Sequence, residues 1–142
     1  MENDYVAEWF RFADADLASA EFLLGLQPLP MEIICYHCEQ SAEKYLKGFL
    51  LYKGIIEPPK THDLNTLCEM CSVFDERFRE INRACSILTV YSVQPRYPHE
   101  MEILDSDMRQ ALNYARQIKD FAPLSETRQV VARQAEQRKQ GC

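Results

Sequence analysis

Apolar residues recur at steps of three and four along this chain, in five stretches separated mainly by prolines, and nowhere do they alternate as in a strand. That periodicity restricts the fold to helices, because a spacing near 3.6 places those side chains on one face of a helix and scatters them on a strand. The first stretch, Asp4 to Leu24, carries Tyr5, Trp9, Phe12, Ala13, Leu17, Ala20 and Leu24, with Asp14, Asp16 and Glu21 expected on the solvent side. Gln27-Pro28-Leu29-Pro30 ends it, since each proline lacks a donor and restricts the residue before it. A second helix is expected from Met31 to Tyr52, closed near Gly54. At 100° per residue, Ile34, Cys38, Ala42, Tyr45, Phe49 and Tyr52 share its core face, while His37, Gln40, Lys44 and Lys47 cluster roughly opposite. Ile33 and Leu51 frame that polar row, which suggests a second contact surface.

Thr61 or Asp63 can cap a short third helix carrying Leu64, Leu67, Cys68 and Cys71, and Asp75 a fourth with Phe78, Ile81, Cys85, Leu88 and Tyr91. Gln94-Pro95-Arg96-Tyr97-Pro98 breaks the fourth. Asp105 or Ser106 opens a fifth with Met108, Ala111, Leu112, Ala115, Ile118 and Phe121 inward. Beyond Pro123 the apolar spacing fades. The expectation is an all-α, up-and-down bundle of four to five helices over residues 1–123, followed by a polar, frayed tail over 124–142.

With 142 residues, 46% of them hydrophobic and 27% charged, the chain can bury one core without metals or disulfides. Its formal charge of −6 removes any global attraction to nucleic acid or anionic lipid, so an anion site must be local. No apolar stretch approaches a membrane span and no secretory signal opens the chain, so a cytoplasmic location without membrane contact is expected. In that compartment six cysteines read as free thiols.

The run Cys35-Tyr36-His37-Cys38-Glu39-Gln40-Ser41-Ala42-Glu43-Lys44-Tyr45-Leu46-Lys47, followed by Thr61-His62-Asp63-Leu64, carries a more specific signal. It resembles the HEPN domain (higher eukaryotes and prokaryotes nucleotide-binding), whose second helix has a His-x-x-Gln-x-x-Glu-Lys-x-Leu-Lys pattern. Ala13-x-x-Asp16-Leu17-x-x-Ala20 and Arg96-Tyr97-Pro98 agree with it, so the resemblance spans about Tyr5 to Phe121. The resemblance implies a helical bundle that commonly homodimerises, a polar groove, and association with a minimal nucleotidyltransferase. Some relatives bind nucleotides and others cleave RNA. Fold alone does not assign the activity.

Lys44 and Lys47, one turn apart, can direct two ammonium groups at a phosphate, and His62 and Arg96 can join them through the loops. An alternative is that the two lysines are solvated and pair with Glu43 and Glu39. His37, Gln40, Glu43 and Tyr97 are candidates for the groove or a dimer interface, with structural roles open for His37, His62, Arg96 and Tyr97. HEPN ribonucleases carry an arginine and a histidine on one helix with four to six residues between them. None of His37, His62 or His99 has an arginine at that spacing, and Pro98 interrupts Arg96 to His99. No catalytic residue is therefore assigned. Cys35-x-x-Cys38 and Cys68-x-x-Cys71 match a zinc site by count, but both lie in apolar helical patterns where cysteine acts as a small hydrophobe, so neither a metal nor a cofactor is expected.

The expected function is accordingly non-catalytic: a homodimer binding a nucleotide or other phosphate-bearing ligand beside a separately encoded minimal nucleotidyltransferase, in a toxin–antitoxin-like module. The alternatives are a ribonuclease toxin and a pure protein-interaction module.

Overall fold

Six α-helices carry the apolar spacing among the described residues, 2–93 and 102–141 of a computed structural model, and no strand occurs there. They are α1 (Glu2–Phe22), α2 (Met31–Tyr52), α3 (Leu64–Phe74), α4 (Asn82–Leu88), α5 (Asp105–Asp120) and α6 (Ala122–Gln140). Local chemistry sets several ends. Gly54, at φ 97°, ends α2 in a Schellman arrangement: its N–H donates to Leu51 and that of Ile55 to Leu50. Asp63 caps α3 by accepting from the Asn65 N–H at 3.0 Å and the Thr66 hydroxyl at 3.1 Å. Asp75 accepts from the Arg77 N–H at 3.0 Å, but what it opens is a 3-10 segment, Glu76–Ile81, that feeds into α4. At α5, Asp107 reaches back to the Leu104 N–H at 2.9 Å.

The core face expected of α2 is buried as far as Phe49, with Tyr52 half-buried. Burial extends to Cys35, Leu46 and Leu50, because α1, α3 and α5 all pack on this helix and leave it little solvent face. Phe49, Phe78 and Phe121 stack through its lower end, with ring centroids 4.5 and 5.2 Å apart. Cys35, Cys38, Cys68, Cys71 and Cys85 are all buried, and Cys68 Sγ donates to the Phe78 carbonyl at 3.2 Å. Burial pushes the Cys35 and Cys38 thiols up to about 12, so both stay protonated and pack as apolar groups.

α1 and α2 are antiparallel: Trp9 and Phe10 meet Gly48, whereas Asp16 meets Lys44 and His37. Gly48 sets how closely they approach, since a Cβ there would lie 2.8 Å from Phe10 Cε1 and 3.2 Å from Trp9 Cβ. Gly48→Val is expected to lower the unfolding free energy by about 2 kcal/mol in urea denaturation, through overpacking of a core that holds Phe10. Unchanged stability would mean that the helices are spaced more widely than this.

Two sequence expectations need correction. The buried stripe of α1 is Val6, Phe10, Ala13, Leu17 and Ala20, while Tyr5, Phe12 and Leu24 are exposed and Trp9 is half-buried. The expected and observed stripes share Ala13, Leu17 and Ala20; the helix is turned so that the bulky aromatics at 5 and 12 fall outside. Secondly, residues 122–140, expected as a frayed tail, form α6. Leu124, Thr127 and Val131 are buried, Arg128 Nη2 donates to the Lys119 carbonyl at 2.6 Å, and its guanidinium lies 5.1 Å from the Tyr45 ring centroid. A few apolar residues suffice because a preformed surface of α1 and α2 receives them.

Candidate functional site

On α2 the polar residues split into two groups, because successive positions turn through 100° and the helix has neighbours on several sides. His37 and Lys44 face α1, where both converge on Asp16. His37 Nδ1 is 2.9 Å from Asp16 Oδ1, and Lys44 Nζ donates to Oδ2. The Asp16 side chain is 13% exposed, so this is a nearly buried carboxylate held from two directions. Lys44 also lies 6.0 Å from the centroid of the Phe12 ring. Its ammonium retains donors beyond the one given to Asp16, and His37 retains Nε2.

The second group lies further round α2. Glu43 receives Lys47 Nζ at 3.2 Å on one oxygen and sits 2.9 Å from His62 Nδ1 with the other. The loop before α3 delivers His62, which is 63% exposed, while the Lys47 side chain is only 8% exposed. One turn earlier stands Glu39, at 0% exposure. Its Oε2 accepts from Gln40 Nε2 at 3.1 Å, and its Oε1 has no hydrogen-bond partner among the described residues. Burial first, then the neighbouring Glu43 charge, push the Glu39 carboxyl up to about 8. It is therefore mostly protonated at neutral pH, and in that form it can donate a hydrogen bond to Glu43.

Lys44 and Lys47 thus do not share one target: Lys44 holds Asp16 across the helix pair and Lys47 holds Glu43 on its own helix. Nor is Lys47 solvated, because α2 is covered on that side. His62 joins Lys47 on Glu43, and Gln40 supports Glu39. Arg96, Tyr97 and His99 lie outside the described residues. Sequence reasoning put Asp16 in solvent and gave Glu39 no role beyond a surface partner. The available signal for Asp16 was its place in Ala13-x-x-Asp16-Leu17-x-x-Ala20, one residue before a core leucine. Asp14, also expected in solvent, accepts from the Tyr45 hydroxyl.

With Glu39 protonated, each group pairs one ammonium with one carboxylate and is close to neutral. Any anion taken here is held by short-range donation and not by a strong field. Among the described residues, neither His37 nor His62 has an arginine among its hydrogen-bond partners.

The Asp16 group bridges α1 and α2, and a pocket lies toward each end of that helix pair. One, of about 510 Å³, is lined by Ala18, Ser19, Phe22, Leu23 and His37. The other, of about 340 Å³, is lined by Tyr5, Trp9, Leu51, Gly54, Ile56 and Pro58. Among the described residues no helix is long and apolar enough to cross a membrane. Comparison with curated proteins and with solved structures gives no match. A family model described as the HEPN domain matches residues 6–126, most of the chain and every element that builds both polar groups, and the chain belongs to the HEPN family.

Proposed function

We propose that this chain is a non-catalytic HEPN protein that works in the cytoplasm as a homodimer, binds a phosphate-bearing ligand, most simply a nucleotide, and acts beside a separately encoded minimal nucleotidyltransferase in a toxin–antitoxin-like module. The observation that carries the binding reading is the convergence of His37 and Lys44 on one carboxylate between α1 and α2, with His37 also lining a pocket. Two nitrogen groups already within hydrogen-bond distance of an oxyanion form a preorganised cradle, and a phosphate can use the remaining Lys44 donors without displacing Asp16. The non-catalytic reading is supported by the missing Arg-x4-6-His spacing. It is also supported by the geometry at His37 and His62, whose Nδ1 atoms are both engaged by carboxylates.

Isothermal titration with a nucleoside triphosphate tests the reading. Binding is expected to weaken with salt, and Lys44→Ala to weaken it about tenfold, the loss of one charge-assisted contact. Absence of any salt-sensitive binding, with no nucleotidyltransferase co-purifying, rejects the proposal.

The exposed Tyr5, Phe12, Phe22 and Ile56 favour a second reading, in which this face of α1 and α2 is purely a protein interface. There, Lys44→Glu changes association and nucleotides have no effect. Growth arrest with RNA cleavage that is lost on changing His62 or His99 would instead promote the ribonuclease alternative.

A further inference from the structure

α6 lies antiparallel to α1: Arg138 donates to Asp4 at 2.5 Å near one end, while Arg128 and Asp14 both meet Tyr45 at the other. Between them the two helices turn matching faces to each other, Ala7, Phe10, Arg11 and Asp14 on α1 against Arg128, Val131, Ala132 and Ala135 on α6. Each set recurs at steps of three and four, the spacing of one helical face. The alanines are too short to close the gap, and a cavity of about 230 Å³ remains. Apart from its charged groups the lining is apolar.

Arg128 enters this cavity incompletely matched. Its guanidinium lies 5.1 Å from the Tyr45 ring centroid and its Nη2 donates to the Lys119 carbonyl at 2.6 Å. Its Nη1 is buried and has no hydrogen-bond partner among the described residues. The other charges of the lining are offset. Asp14 accepts from the Tyr45 hydroxyl and has Lys119 Nζ at 3.8 Å, and Arg11 is paired with Glu8 at 2.8 Å. The cavity thus carries one positive charge in excess, together with a donor whose isolation from water is costly. A carboxylate matches that single charge and suits the guanidinium fork, whereas a phosphate dianion exceeds it. The volume falls below the roughly 300–1,000 Å³ of pockets for drug-sized ligands, so the group attached to the carboxylate is small.

We infer that the α1–α6 cleft is a binding site for a small organic carboxylate, separate from the His37–Lys44 group. The carboxylate accepts from Nη1 of Arg128, and its apolar body fills the space over Phe10, Val131 and the three alanines. Arg11, 64% exposed and paired only three residues away on its own helix, is the wall that moves to admit the ligand. A bound molecule touches both helices and so fastens α6 to α1, by an amount that grows with its concentration. The inference goes beyond the proposed function and needs neither its nucleotide, its second copy nor its transferase.

The test follows backbone amide and arginine Nε–H resonances of the isotope-labelled full chain by NMR during titration with benzoate. Saturable shifts are expected at Ala7, Ala132 and Ala135 and on the Arg128 side chain. Benzyl alcohol, the ring without the charge, and inorganic phosphate, the charge without the ring, should each bind at least about tenfold more weakly. Arg128→Gln should weaken benzoate binding about tenfold to a hundredfold, the loss of a charge-assisted contact. Ala132→Leu, at an exposed position, should fill the cavity and abolish binding while its circular dichroism matches wild type. The absence of saturable shifts overturns the inference. So does a set of shifts confined to Ala18, Ser19 and His37, which line the other pocket. Benzyl alcohol binding as tightly as benzoate, or benzoate binding undiminished in Ala132→Leu, also overturns it. Should Arg128→Gln unfold through loss of its place over Tyr45, Ala132→Leu and the benzyl alcohol comparison decide. Failure of nucleotide binding leaves this site untouched, and failure here leaves the proposed function standing.

Discussion

Replacing Glu39 with glutamine is expected to stabilise the protein at neutral and alkaline pH and to remove most of its pH dependence between about 4.5 and 8. Glu39 is buried beside Glu43, and its carboxyl is raised from 4.5 to about 8. The unfolded chain therefore releases this proton near 4.5, whereas the folded chain keeps it until about 8. Between those values the folded state binds more protons, so the free energy of unfolding falls as pH rises. The contribution is complete below the unfolded value and is lost as pH climbs through the folded one. At about 1.4 kcal/mol per pH unit, the loss by pH 7 is on the order of 3 kcal/mol. Glutamine keeps the shape, can still donate to Glu43, and has no proton to lose. Urea denaturation at pH 5, 7 and 9 checks this: wild type should weaken across the series, and Glu39→Gln should exceed it increasingly. Parallel curves for the two proteins would show that Glu39 is ionised in the fold and that its environment supplies a partner after all.

Removing α6 is expected to have an effect at least as large, in the opposite direction. A chain ending at Phe121 loses the burial of Leu124 and Val131, the Arg128 bond to the Lys119 carbonyl, and the guanidinium over Tyr45. Two buried aliphatic side chains alone contribute roughly 3–6 kcal/mol, a large share of the stability of a small domain. Leu124→Ala isolates part of this and should cost about 2–5 kcal/mol in thermal or chemical denaturation. Should the shortened chain melt like the full one, α6 would be an appendage of the domain and not one of its packed layers.

Much of the fold is legible along the chain, because it is encoded at short range. The 22-residue α2 runs from Met31 to Tyr52 as its apolar spacing and Gly54 require. Asp63 caps α3, and the inward residues of α5 are those that its spacing selects. The Glu43–Lys47 pair is likewise local, four residues apart on one helix. α6 escaped the same reading because its buried residues are sparse among glutamines and arginines, and periodicity needs several apolar residues to register.

By itself, the sequence determined the helical class, the ends of α2, the cap of α3, the central position of α2, and membership of the HEPN family, since each depends on spacing or capping within a few residues. Only the tertiary structure decided which way α1 turns, that Asp16 is the acid shared by His37 and Lys44, and that Glu39 is sealed from water. Asp16 and Lys44 lie 28 positions apart, and Glu39 is buried by remote elements packed around α2. A helical pattern states the angle at which a side chain leaves its axis; what waits there is set by segments far along the chain.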